Sequence, residues 1–466
     1  MSDVAAARPP VNTPTVWLPA AVAMAVAFVW RVALIHMHPT AYAFDGYQRW
    51  AGRDHILVQD WLPVTQALIW LTAQLGGDIY VGRLVMAFVA ASAAGAGTWL
   101  AQSLAAERVG PREATTAGWA FVIAALFGPW SSWGTVFYQE STFLLVLFGG
   151  LALAVGRRPL LADLVIGLLG LVRYEGFPVV LMYIVWRRRP GALVSLWGMA
   201  AWLILRAAGV EGYHASPVSF ADWEGLSERF TLGGWFDDVY MFAYRVSNSA
   251  GGVWVVAAAI YAWLDRRSPL ALLIAAICAS QIGITMVWVA GLEVSTSRMV
   301  VIPVVIAAVL GSALAPLVVR VRRLMYLLPV GLAVLLAIGL EDAQRRMRVE
   351  NSRVRYERAA LRLMAECPGC VWWVLPRSGL GTRARHDGCE IIQGISDLRE
   401  GEDFHCAAWV DPDEAMELYS RCGGTLRWDS GHRLYVSERH IPGGLPVLPT
   451  EEPDPTLRTD LDGEDE

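Results

Sequence analysis

The chain has 466 residues, 55% of them hydrophobic and 17% charged, with a mean hydropathy of +0.41. Soluble domains carry about 25% charged residues, so this composition belongs in a membrane and argues against a nucleic-acid binder. The net charge of -5 is concentrated at one end: Glu451 to Glu466 hold eight acids against Arg458, and the rest of the chain carries about +2.

All 38 basic residues are arginine. A phosphate loop of the Walker type, a Schiff-base lysine and a Ser-Lys dyad are therefore excluded. There is also no GxSxG and no HExxH.

In chain order, the first apolar segment covers 16–36. Ala41-Tyr-Ala43 beyond it has the form of a signal-peptide cleavage site, but Arg31 inside the run and the weak basic flank favour a retained span. A long loop, 37–78, follows. In it Asp45, Arg49 and Arg53 are spaced i, i+4, i+8, which places them on one helical face, with Asp54 and Asp60 close behind. The apolar run from Pro63 to Leu75 is too short to span and reads as an interfacial helix.

Further spans are expected at 79–105, 114–130, 137–156, 160–172, 176–186, 191–209, 251–265, 269–291, 299–319 and 324–340. That makes about eleven, several below the usual ~20 residues. Arg108/Arg112, Arg157/Arg158, Arg187 to Arg189, Arg266/Arg267 and Arg320/Arg322/Arg323 fall in alternate short loops, which the positive-inside rule assigns to the cytoplasm. Loops 37–78, 130–136, 173–175, 210–250 and 292–298, and everything after Leu340, then face outward.

The expected fold is an α-helical polytopic membrane protein with a small α/β extracytoplasmic C-terminal domain. The membrane domain is read as 1–340, the outer domain as 341–445 and the acidic tail as 446–466, a solvated, disordered end. Glu341 to Glu366 should continue the last helix into water. Strands are expected at Val371 to Leu375, Glu390 to Gly394, His405 to Val410, Thr425 to Trp428 and Arg433 to Val436. Asp411-Pro-Asp-Glu414 should start a helix that runs to Cys422 and stops at Gly423-Gly424. Cys367, Cys370, Cys389, Cys406 and Cys422 lie in this region. An oxidising location favours disulfides among them over a zinc site.

Ionisable residues outside collect on one side of the membrane, where each charge at depth is costly and marks a functional candidate. Glu140 opens an apolar helix, where an acid is also favourable to the helix dipole. Arg173 and Glu175 divide two short apolar runs, either as a pair holding a turn or as the floor of a cavity. Glu293 and Arg298 sit in the loop before the span at 299–319, and arginine suits a phosphate ligand. Asp237 and Asp238 lie between aromatics, as an interfacial anchor does.

In order, these features resemble the GT-C superfamily of polyprenyl-phosphate-sugar glycosyltransferases, such as protein O-mannosyltransferases and the aminoarabinose transferases of lipid A. Phe44-Asp45-Gly-Tyr looks like the acid of the first outer loop. Glu140-Ser-Thr-Phe-Leu looks like the glutamate that opens a later helix, Arg173-Tyr-Glu175-Gly like the family's Arg-x-Glu-Gly turn, and Ser297-Arg298-Met with Pro303 like a late arginine motif.

The resemblance implies inverting glycosyl transfer at the outer face of the cytoplasmic membrane. The donor would be a polyprenyl-phosphate-linked sugar and the acceptor a lipid, glycan or protein hydroxyl. Asp45 would be the general base, Arg49, Arg173 and Arg298 would bind the donor phosphate, and Asp54, Glu140 and Glu175 would line the cavity or meet the acceptor. Many relatives place two adjacent acids in the first loop, whereas Gly46 follows Asp45 here. That departure leaves no cofactor assigned and weakens the case for a divalent metal. Two other readings fit the charge pattern: a transporter or flippase for lipid-linked substrates, and a non-catalytic assembly subunit.

Overall fold

A computed structural model describes residues 14–39, 41, 46, 49–50, 52–57, 62–208, 239–240, 242–244, 246–247, 249–292, 297–321 and 323–366, with five short strands beyond them. The chain divides into two compact units, Met1–Met37 with Arg49–Arg346, and His38–Gln48 with Met347–Glu466.

The first unit is helical. Its elements are α1 (Pro14–Met37), α2 (Pro63–Gln74), α3 (Ile79–Val109), α4 (Pro111–Ala124), α5 (Gly128–Trp133), α6 (Gln139–Val155), α7 (Pro159–Gly167), α8 (Gly176–Arg187), α9 (Trp197–Ala207), α10 (Gly251–Leu264), α11 (Pro269–Leu292), α12 (Val301–Ala313) and α13 (Ala315–Arg320). The last helix, α14 (Leu327–Glu366), runs past the end of this unit. Short 3-10 stretches at Leu168–Leu171, Pro190–Leu196 and Ser297–Val300 link several of them.

Proline opens α2, α4, α7, α11 and the second 3-10 stretch. A missing N–H costs nothing there, because the first turn has no partner for it. Among the described residues six helical segments are long and apolar enough to cross a membrane, and four shorter apolar helices accompany them. This is a multi-pass membrane protein.

Every expected span is helical over its described residues, the ones at 160–172 and 191–209 partly in 3-10 geometry, with two corrections. The segment expected at 114–130 breaks into α4 and α5, since Gly128-Pro129 cannot extend α4 and instead begins a new short helix. The one expected at 299–319 is a 3-10 turn followed by α12 and α13, divided before Pro316. The last helix runs on past 340 to Glu366, as the sequence predicts. The run after Pro63 is indeed a 12-residue helix, α2.

All thirteen residues of α12 are buried. A helix apolar all round belongs inside a bundle, and α12 packs against α3, α4, α10 and α11. On α3, the small residues Ala87, Ala90, Ala91, Ala94 and Ala101 are buried and let neighbouring helices close in.

In the second unit, β1 (Trp372–Val374), β2 (Ile391–Ile392), β3 (Cys406–Ala408), β4 (Leu426–Asp429) and β5 (Leu434–Ser437) form one sheet of order β2-β1-β3-β5-β4. β1 runs parallel to β2 and β3, while β5 is antiparallel to β3 and β4. Each strand overlaps one of the five expected runs, with β4 and β5 reaching one residue past theirs. The helix expected from Asp411, the acidic tail, and Cys367, Cys370, Cys389 and Cys422 lie outside the described residues, as does the side chain of Cys406.

Candidate active site

Four charged residues from three parts of the first unit meet at one crevice. Tyr138, in an extended conformation, leads into α6 and puts Glu140 in the first helical turn. The segment ahead of it is gripped by two buried arginines. From α1, Arg31 donates to the carbonyl oxygens of Ala125 (3.4 Å) and Trp130 (3.2 Å) and lies over the Trp130 ring. From α3, Arg83 Nε donates to the Thr135 carbonyl at 3.1 Å.

Arg173 and Glu175 form a tight turn between the first 3-10 stretch and α8, closed by bonds from Gly176 N to Arg173 O and from Phe177 N to Tyr174 O, each 3.0 Å. A side chain at Gly176 would lie 2.4 Å from the Leu169 carbonyl oxygen, so only glycine follows Glu175 without displacing backbone. The rings of Tyr174, Phe177 and Trp202 pack edge to face behind the turn. Arg298 comes from the 3-10 turn ahead of α12.

Glu140 Oε1 accepts from Arg173 Nη1 at 2.7 Å and from Arg298 Nε at 2.9 Å. Arg173 also forks onto Glu175, with Nη2 at 2.6 Å and Nε at 3.2 Å. The Arg298 guanidinium lies 4.2 Å above the Tyr138 ring, a cation–π contact. Among the described residues, two cations here meet two anions. Contacts with Glu175 and Glu140 offset the cost of burying the Arg173 charge.

Gln281, Thr285 and Ile302 complete the crevice lining. Gln281 Nε2 donates to the Glu175 carbonyl oxygen at 3.0 Å. The second Glu140 oxygen, Oε2, is buried and has no hydrogen-bond partner among the described residues. The crevice encloses about 10 Å³, room for about one water.

Of the expected site residues, Glu140, Arg173, Glu175 and Arg298 converge. Arg49 is buried but does not line this crevice; its carbonyl accepts from Gln66 of α2 at 3.1 Å. Asp54 is exposed in a turn and also stands apart from the lining. The single face expected for Asp45, Arg49 and Arg53 is not extended to Arg53. That residue sits in a turn and folds back, its guanidinium donating to the Trp50 carbonyl at 3.3 Å and covering the Trp50 ring.

Asp45, Asp60, Asp237, Asp238 and Glu293 lie outside the described residues. Tyr138, Gln281 and Thr285 escaped the sequence reading. A lone Gln281 within the apolar α11 carried the signal, because an amide in a span needs a partner. No group of three His, Cys, Asp or Glu side chains among the described residues could hold a metal. The crevice pairs each acid with arginine, and such a set does not fit a cation.

No protein-family model and no curated protein matches the sequence. Two solved structures are similar to the chain at 14% identity, both of ArnT from Cupriavidus metallidurans. The one bound to undecaprenyl phosphate gives a TM-score of 0.49 over 91% of this chain and 98% of its own. The apo state gives 0.46 over 90% and 97%. Likeness at that level concerns the path of the chain and carries nothing about chemistry.

Proposed function

We propose that the protein transfers a sugar from a polyprenyl-phosphate donor to an acceptor hydroxyl at the membrane surface away from the arginine-rich loops. The observation that carries this reading is the convergence of Arg173 and Arg298 on one carboxylate in one crevice. Two permanently charged, preorganised guanidinium groups suit a departing phosphate, whose negative charge grows as the glycosidic bond breaks. Glu140 and Glu175 hold those arginines in place, and the open Oε2 of Glu140 suits a sugar hydroxyl. The crevice must widen to admit a donor, with the arginines exchanging carboxylate for phosphate.

Asp45 is assigned as general base, taking the acceptor proton as the hydroxyl oxygen attacks the anomeric carbon and the lipid phosphate leaves. Arg49 is assigned to the donor phosphate and Asp54 to the acceptor side, on the family resemblance alone. The segments 1–340, 341–445 and 446–466 are assigned as catalytic membrane domain, outer domain and tail.

Binding and transfer test this separately. Undecaprenyl phosphate should bind the purified protein, and Arg173→Met or Arg298→Met should weaken it about tenfold, ~1.4 kcal/mol. Asp45→Asn should bind as the parent does and lose transfer from an undecaprenyl-phosphate sugar. Unchanged lipid affinity in both arginine variants would overturn the site, and retained transfer in Asp45→Asn would overturn the base.

A further inference from the structure

A second cavity, of about 270 Å³, lies between α14 and the bundle, near the ~300 Å³ at which ligand-sized pockets begin. Trp254, Gly311, Val318, Leu328, Gly331 and Leu335 are among its walls, and every lining residue is apolar. A dry apolar space of that kind takes hydrocarbon and excludes water. It exists because α14 hides little of its surface: Leu327, Val330 and Val334 remain 63%, 61% and 53% exposed.

The two ends of the groove differ. Toward the crevice side, α14 closes on the bundle, with Gly339 against the Leu126 carbonyl and Asp342 against Gly128. At the other end, Arg320 and Arg323 flank the lining residues Val318 and Leu324 and are exposed, as is Arg112. Glu113 answers Arg320 at 2.7 Å, so this rim keeps a positive balance.

We propose that the groove binds one acyl chain of an anionic phospholipid, drawn from the leaflet at the arginine-rich end, with its phosphate at Arg320 and Arg323. An apolar slot that opens toward a cationic rim matches an anionic lipid in both parts. Closure at Gly339 separates the groove from the crevice, so its occupant is a resident lipid distinct from the donor's prenyl tail.

The protein, reconstituted in vesicles of phosphatidylcholine and phosphatidylglycerol and returned to mild detergent, is weighed intact with its retained lipids. The parent should keep one phosphatidylglycerol per chain in preference to phosphatidylcholine. A Cβ at Gly331, one of the lining residues, meets nothing within 4 Å, so Gly331→Leu extends into the slot from an unobstructed Cβ. It should weaken retention about tenfold, ~1.4 kcal/mol. Gly149→Leu, equally open but elsewhere, should retain the lipid. Arg323→Glu should erase the preference between the two lipids. Retention that survives Gly331→Leu, a loss as large in Gly149→Leu, or a parent indifferent to headgroup charge would each overturn the proposal.

Discussion

Removing the charge of Glu140 should unbalance the crevice, and removing that of Arg298 as well should restore it. Glu140→Gln keeps the shape and one acceptor oxygen but leaves two arginines facing Glu175. The lost contacts are those of Oε1 with Arg173 at 2.7 Å and with Arg298 at 2.9 Å, from a side chain only 3% exposed. Charges ~4 Å apart at an effective dielectric near 20 interact by about 4 kcal/mol, and breaking one partner of a buried pair costs about 3–5 kcal/mol. We expect about 3 kcal/mol for Glu140→Gln, since glutamine still accepts one bond.

Arg298→Met should cost a similar amount, because two carboxylates then share Arg173. In the double variant the Arg173–Glu175 pair stands alone and neutral. Its cost should fall short of the sum by about 2–3 kcal/mol, the upper range of coupling for residues in one network. Denaturant titration of all four proteins in mixed micelles measures this cycle. Additivity within ~0.5 kcal/mol would refute the reasoning, and would mean that the pair is screened by water.

Other substitutions read the fold. A Cβ at Gly198 would fall 1.9 Å from the Gly167 carbonyl oxygen, so Gly198→Ala should push α9 off α7 and cost about 3 kcal/mol of stability; Gly149→Ala, in open space, should be neutral or slightly stabilising. By contrast with Glu140, Glu113 pairs with Arg320 at a site where both side chains are about half exposed. Glu113→Gln should therefore change the unfolding midpoint by less than the equivalent of ~1 kcal/mol, and a larger loss would place that pair out of water.

Much of the helix plan was legible because most apolar runs end near arginine, proline or glycine. Arg157, Pro159 and Arg187 to Arg189 bound α6, α7 and α8 closely. The same rules misjudged 114–130, where mean hydropathy carried across Gly128-Pro129 although the backbone could not. Of the crevice, Glu140, Arg173, Glu175 and Arg298 stood out as charges at membrane depth. Their meeting over 158 positions did not, because helical pattern fixes which face is apolar but leaves open which helices are neighbours. Arg31 and Arg83 were unreadable as braces of this segment, since there they grip backbone carbonyls that no sequence pattern marks.

The bond from Gln281 to the Glu175 carbonyl sets a depth gauge. Gln281 stands midway along α11, eleven residues short of Leu292, which is ~16 Å below that helix end at ~1.5 Å per residue. Were α11 to cross a hydrocarbon core of ~30 Å from end to end, these charges would sit below the membrane surface, within the bundle. A polar reactant would then reach them only by passing protein side chains above them, and those side chains, as well as the charges, would select what arrives.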